Sequence, residues 1–333
     1  MDDLPILVSA RLAFACGGLA LFLLWENSSP FRAPRQPRLN HYATNVALGL
    51  SNVIVLRLAF GGFLFWLAGL AERQRIGVLN FLATPPIWKA VVTVMLFDLI
   101  TYVAHRWLHR SPLLWRLHKV HHSDLDFDVT TGIRFHTLEI LLSAGIRAAA
   151  VLLLGASVVG VAAFETALLF SSQFQHSNLR LPETIDRRIR WLTVTPSMHR
   201  IHHSEHPEEM NSNFSTIFSW WDRLLGSYRE TVRQEEIVVG LREARGGEGA
   251  GLLALLRMPF AGASARLPRM LPPQQLREEL SRPQPPLVLD VRNPDEFVGD
   301  LGHIEGAVPI PLPELDAKLD QLTPHRQRRI VAV

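Results

Sequence analysis

The 333-residue chain balances 34 Lys and Arg against 31 Asp and Glu, a formal charge of +3, so nothing implies a strongly basic surface for nucleic acid. Its 48% hydrophobic content is high for a water-soluble protein and puts a membrane protein first among the classes. A single cysteine, Cys16, excludes an intramolecular disulfide and any metal site built from several thiolates.

Residues 5–25 (PILVSARLAFACGGLALFLLW) have only Arg11 as an interruption and reach the roughly 20 residues needed to cross a hydrocarbon core. Their acidic lead-in (Asp2, Asp3) and the arginines that follow favour a membrane anchor over a cleaved signal peptide. A second apolar stretch covers 44–71, and a third, 87–104, runs directly into a group of histidines. The stretch 138–173 is apolar but for Arg147 and Glu165, and Gly155-Ala156-Ser157 divides it into a hairpin dipping into the bilayer or two full spans.

Arg32, Arg35 and Arg38 precede the second stretch, and Arg106, Arg110, Arg116 and Lys119 follow the third, which predicts a cytoplasmic location for both regions. The N-terminus is then expected outside, with every histidine cluster on the cytoplasmic face. From about 229 to 286 the composition turns to Arg, Glu, Gly and Pro, expected as linker with an amphipathic piece near 250–260 lying on the membrane. After it, LVLDVRNPDEF has the pattern of a short buried strand, a turn and a helix start.

Eight of the fourteen histidines fall in two windows, 105–122 and 199–203. His105 and His109 are four apart on a continuing helix and share one face. His118, His121 and His122 stand at i, i+3 and i+4, and His199, His202 and His203 repeat that spacing. Imidazole suits iron, copper, nickel or zinc, and eight donors exceed what one ion accepts, so a two-metal centre is the natural count. Structural zinc closes with four ligands and leaves the others unexplained; zinc hydrolysis survives as a minority reading.

On these residues the chain resembles the fatty acid hydroxylase and sterol desaturase superfamily. The HxxxH, HxxHH and HxxHH boxes are joined by Asp98 and Tyr102, His121-His-Ser-Asp124, Thr130-Thr-Gly-Ile-Arg-Phe-His136-Thr-Leu-Glu139, Phe174-Gln-His-Ser-Asn178, Pro196-Ser-Met-His199, and Asn213 through Gly226, so the likeness covers roughly 90–230. The resemblance implies two iron ions, O₂ activation and a lipid or sterol-like substrate that is hydroxylated or desaturated. It implies ligands at His105, His109, His118, His121, His122, His199, His202 and His203, with His176 as a ninth. His136 is a further ligand or a residue orienting one, and Asp98, Glu139, Asn178, Asn213 and Asp222 are expected to orient ligating imidazoles through their other ring nitrogen. His41, His206, His303 and His325 match nothing. No haem-binding HPGG box, ferredoxin cysteine set or GxGxxG fingerprint is found, so a separate electron-donor protein is expected.

Residues 287–333 resemble the first half of a rhodanese domain: LVLDVRNPDEF, then GHIEGAVPIPLPEL, then the strand RRIVAV. The cysteine loop that carries the persulfide in that family has no counterpart here, and sulfur transfer is not expected. The expected fold is mainly α: a polytopic helical membrane protein with a cytoplasmic histidine-rich helical cap and a partial α/β rhodanese-like segment. The expected division is transmembrane helices over 1–86, a catalytic domain over 87–230, linker over 231–286 and the rhodanese-like segment over 287–333. The expected activity is that of a membrane di-iron monooxygenase, against a zinc hydrolase or a non-redox metal-binding membrane protein.

Overall fold

The computed structural model describes residues 4–60, 62–230, 232–246, 251–261, 271–325 and 328–333, and the chain forms two compact units, Met1–Gly262 and Ala263–Val333. The first unit is helical: α1 (Leu4–Ser28), α2 (Arg38–Phe60), α3 (Phe63–Arg73), α4 (Pro86–Arg110), α5 (Pro112–His122), α6 (Thr137–Leu154), α7 (Val158–His176), α8 (Glu183–Ile189) and α9 (Pro196–His202). Helices α4 and α6 are long and apolar enough to cross a membrane, and α2 with α3, bent by 41°, forms a third span when the pair is taken together. Leu58, Trp107, Leu153 and Val159 point large apolar side chains out of the bundle, the surface of an integral membrane protein that meets lipid. The apolar stretch 44–71 is thus broken, with Gly62 in a left-handed conformation at φ 77° heading α3.

Local chemistry sets the helix ends. Pro86 opens α4 where a missing N–H costs nothing. Ser111 separates α4 from α5: its extended backbone ends one helix and its hydroxyl accepts from Leu114 N of the next. The imidazole of His136 accepts from Leu138 N to start α6, and Ser157 does the same for Gly160 N of α7. Between them Gly155, at φ 71°, makes the turn that the sequence places at 155–157. The loop at Gly77 packs so closely on that turn that a Cβ there would lie 2.1 Å from Gly155 N, so neither glycine has a substitute.

Helix α7 is the axis of the unit, packed against α1, α3, α4 and α9. Phe97, Val151, Val161 and Phe164 join α4, α6 and α7 in the main core, with Leu67 and Ala68 added from α3. The stretch expected as linker carries packed structure. Ile237 and Val239 bury against Phe127 and Ile201, and a bridge pairs Val239 with Ser204 beside the third histidine box. The expected amphipathic piece is the short helix Leu252–Arg257: Leu255 packs on Leu48 and Val120, while Leu253 and Phe260 are exposed.

The second unit is built on a three-stranded parallel sheet, β1 (Leu287–Asp290), β2 (Val308–Pro309) and β3 (Ile330–Ala332), in the order β2-β1-β3. All four residues of the central strand are buried, as its continuous apolar run requires. The helix Pro273–Leu280, inside the expected linker, is tied to this unit by Arg329 bonding both oxygens of Glu279.

Candidate metal centre

The end of α4, all of α5, the end of α7 and α9 converge at one end of the helical unit and deliver nine histidines. His105, His109, His118, His122 and His202 form one group, and His121, His176, His199 and His203 form another; within each, a nitrogen from every ring lies within 4.8 Å of the others. The groups adjoin, with the His122 and His203 rings stacked at 4.5 Å. All nine predicted ligands are therefore brought together, and no two adjacent residues serve one group: His121 and His122 part to opposite groups, as do His202 and His203.

The rings are aimed by their outer nitrogens. His118 Nδ1 donates to Glu139 Oε1 at 2.7 Å, leaving Nε2 facing His105 Nε2 at 3.1 Å. His105, His202, His121 and His176 direct Nδ1 to the backbone carbonyls of Phe214 (2.8 Å), Ser212 (2.8 Å), Arg134 (3.2 Å) and Ser172 (2.7 Å). The inner nitrogens crowd together: His176 Nε2 lies 3.1 Å from that of His121 and 2.9 Å from that of His199. His109 Nε2, both nitrogens of His122, His199 Nδ1, His202 Nε2 and His203 Nδ1 are buried without a hydrogen-bond partner.

Each unmet buried group costs on the order of 1–3 kcal/mol, a cost that coordination removes, so this donor set fits metal ions. Burial first, then the neighbouring imidazoles, hold His121, His122, His199 and His203 well below the ordinary imidazole range; burial pushes His202 down to about 3. The rings are neutral at physiological pH, the form that ligates metal.

Of the residues expected to orient ligands, only Glu139 touches a histidine. Asp98 accepts from Ile217 N, Phe218 N and Trp221 Nε1, and Asp222 accepts from Phe214 N, Ser215 N and the Ser227 hydroxyl. Both carboxylates fold the loop whose carbonyls then meet the rings. Asn213, held at φ 52°, spans Met198 O and Arg229 O with its amide and so presents its two neighbours' carbonyls to His202 and His105. Asn178 clamps Arg32 through both backbone groups and reaches no histidine. His136 stands outside both groups, its two nitrogens already engaged by Leu138 N and Leu256 O.

His41, which matches nothing in the sequence reading, is buried and bridges Asp124 at 2.8 Å and Asp128 at 3.0 Å. Asp124 also accepts from Asn45 and Thr131. Burial opposes its charge, but Arg134 and then His41 hold the Asp124 carboxyl well below the usual range. Arg134 passes this network to the centre, since its guanidinium binds Asn45, Val120 O and Ser123 while its carbonyl receives His121. A sequence signal for it is the polar pair His41 and Asn45, one turn apart on α2.

A cavity of about 470 Å³ opens from the centre into the bundle. His105, His118, His121, His176 and His199 line one end, and Val53, Leu56, Ile140, Leu168 and Leu169 line its walls. The volume lies in the range of small-molecule sites, and the apolar walls suit a hydrocarbon.

Residues 90–227, which hold all nine histidines, match the fatty acid hydroxylase family, and residues 272–333 match the rhodanese-like domain. Over residues 90–227 the chain is similar to a fatty acid hydroxylase domain. An ornithine lipid hydroxylase of Rhizobium tropici is 29% identical to this chain over 180 residues, 53% of this chain and 52% of that protein. The human alkylglycerol monooxygenase is 28% identical over 145 residues, 42% of this chain and 30% of that protein. The human cholesterol 25-hydroxylase is 30% identical over 140 residues, 41% and 49% respectively. The chain thus spans about half or less of the length of these curated relatives. No solved structure matches the chain. The region similar to that family contains the histidine cluster and its loop.

Proposed function

We propose that the chain is a membrane-bound, O₂-dependent di-iron oxidoreductase that hydroxylates a lipid or sterol-like substrate, with electrons from a separate donor protein. The observation that carries it is the pairing of nine convergent imidazoles, all but the half-buried His105 buried, with a largely apolar cavity lined by five of them. The relatives act, by their names, on an ornithine lipid, alkylglycerols and cholesterol, which agrees with a polar lipid whose apolar part enters the cavity.

The proposed ligands are His105, His109, His118, His122 and His202 for one iron and His121, His176, His199 and His203 for the other. Iron so held supplies the redox change that attack on an unactivated C–H bond by O₂ requires. The protein's part is placement and dryness. Glu139 fixes the His118 tautomer, the four backbone carbonyls fix four other rings, and Phe135, stacked on His121 at 4.3 Å, walls the cavity beside the ligands. The walls of α2, α6 and α7 hold the chain of the substrate in register with the centre and keep bulk water from it.

The cytoplasmic orientation is supported by the arginines at 32, 35 and 38, because Arg32 bonds Ile237 O and Gln234 O beside the third box. The segment that follows α1 therefore lies on the same side as the histidines.

The test is iron-replete purification, metal analysis and turnover with an artificial reductant under ¹⁸O₂, using the lipid that accumulates in cells lacking the protein. About two irons per chain and labelled oxygen in the product are expected; a desaturase releases both labelled atoms as water. Activity with zinc alone and without O₂ would establish the hydrolase reading instead.

A further inference from the structure

The Phe127 ring packs on three members of the four-histidine group, 5.2 Å from the His203 ring, 5.8 Å from His176 and 6.3 Å from His199. It lines no part of the cavity that opens from the centre. Beside it stands Arg200, 1% exposed, whose guanidinium carbon lies 5.3 Å from the centre of the Phe127 ring and 4.2 Å from that of Phe31. Nη1 of Arg200 donates to Gln234 Oε1 at 2.7 Å, while Nε and Nη2 are buried without a hydrogen-bond partner. A guanidinium buried in this way is costly, and the two aromatic faces offset part of that cost.

Phe31 brings this line of groups to the surface. Its N–H donates to Asn178 O at 2.8 Å, and its ring borders an open recess shared with Arg32, Arg35, Arg180, Glu235 and Glu236. The guanidinium carbons of Arg32 and Arg180 each lie 5.4 Å from the Phe31 ring centre. Arg35 and Arg180 are exposed and, among the described residues, pair with no carboxylate, whereas Glu236 is engaged by Arg233 at 2.8 Å. The recess carries a surplus of positive charge. From it Phe31, Arg200 and Phe127 run to the histidines as successive delocalised groups, which couple electronically better than saturated side chains across the same gap.

We propose that the recess around Phe31 is the docking site of an acidic one-electron carrier protein, with electrons passing through Phe31, Arg200 and Phe127 to the four-histidine group. The inference rests on the reading of the centre as an O₂-dependent hydroxylase fed by a separate donor. In hydroxylation one oxygen atom of O₂ enters the substrate C–H bond, and the other leaves as water with two protons and two electrons. Each docked carrier is oxidised by one electron and departs, so two dockings serve one turnover. An anionic bilayer would satisfy the arginines but would meet Glu235 and Glu236 as repulsion, whereas a protein surface can set a basic residue against each. A lipid headgroup has no use for a line of aromatic contacts leading to the centre.

The probe is a plant-type two-iron ferredoxin, a small acidic one-electron carrier. Binding of its oxidised form to the metal-free, full-length protein in neutral phosphatidylcholine nanodiscs is followed by biolayer interferometry, a readout that needs no turnover. Wild type is expected to bind at low ionic strength and to lose affinity as salt rises. Arg35→Glu with Arg180→Glu is expected to weaken binding about 10-fold. Arg187→Glu with Arg188→Glu, an equal change of charge on exposed residues outside the recess, is expected to bind as wild type does. Failure of wild type to bind, or equal losses in the two variants, overturns the docking site. Loss of phosphatidylglycerol vesicle binding in the Arg35 and Arg180 variant, with ferredoxin binding unchanged, assigns the recess to lipid headgroups and overturns it as well. For the route, iron-loaded protein is reduced anaerobically by saturating reduced ferredoxin in a stopped-flow cell, with dithionite, which needs no docking, as the reference for each variant. Phe31→Leu is expected to slow reduction by ferredoxin relative to dithionite, and Phe31→Tyr, which keeps the ring, to retain the wild-type ratio; an unchanged ratio in Phe31→Leu overturns the route. Should Phe31→Leu not fold, the binding arm on exposed arginines still decides the proposal. Ferredoxin docking as expected with no ¹⁸O-labelled product under an artificial reductant would mark failure of the oxidative reading and not of the docking site.

Discussion

Among the described residues Glu139 is the one side chain outside the nine histidines that hydrogen-bonds one of their rings, which makes its replacement the most direct probe of the proposed centre. The Glu139 Oε1 contact at 2.7 Å holds His118 with its proton on Nδ1, so that Nε2 faces His105. Glu139→Gln preserves the shape and an acceptor oxygen but removes the charge that strengthens the ring as a donor. Outer partners of this kind account for about 10–100-fold in metal affinity, or roughly 1.4–2.7 kcal/mol. Glu139→Ala should lie at or beyond the upper end, because His118 N–H is then buried without an acceptor at a cost of about 1–3 kcal/mol. Anaerobic titration of the metal-free protein with iron(II) against a chelator reads the affinity of the two irons separately if they differ. The loss is expected at the five-histidine iron, with the four-histidine iron nearly unchanged. Two irons bound as tightly in both variants as in wild type would refute the assignment of Glu139 to His118.

His121→Ala and His202→Ala are expected to cost one iron each, from different groups, by metal analysis, whereas exposed His206→Ala keeps both. His41→Ala should bind metal but melt early, since removing one partner from buried charges costs about 3–5 kcal/mol; an unchanged melting temperature would count against the network of Asp124 and Asp128. Asp98→Asn is expected to act on the fold of the 214–222 loop before it acts on metal affinity, visible as faster amide exchange at Ile217 and Phe218. The metal-free protein should lose stability as pH falls below about 6.5, because the unfolded chain takes up protons that His121, His122, His199, His202 and His203 refuse when folded; a flat melting temperature from pH 7.5 to 5.5 would contradict this. Deleting 272–333 should leave the iron content unchanged, as that unit contributes no residue to either histidine group.

The sequence pointed to all nine converging histidines: the HxxxH and HxxHH spacings, which put donors on one side of a helix, marked eight of them, and the resemblance to the hydroxylase family added His176. It also carried the break at 155–157 and the strand at 287–290, which are local matters of glycine conformation and apolar run length. It did not carry the partition of the histidines. The spacing within a box groups His121 with His122, whereas the crossing of α5, α7 and α9 sends them to different groups, and only packing at that crossing decides it. Nor did it carry the residues that aim the rings. Side-chain oxygens of Asp, Glu and Asn were expected, yet four of the five orienting contacts made are to backbone carbonyls, which every residue possesses and no sequence pattern advertises. Asp98 and Asp222 act one step earlier, by bonding the N–H groups of the loop that supplies two of those carbonyls. The roles of His41 and of the 232–246 segment were not read because partners that define them, Asp124 for His41 and Arg32 and Phe127 for the segment, lie more than 80 residues away in the chain, a relation that tertiary structure alone creates.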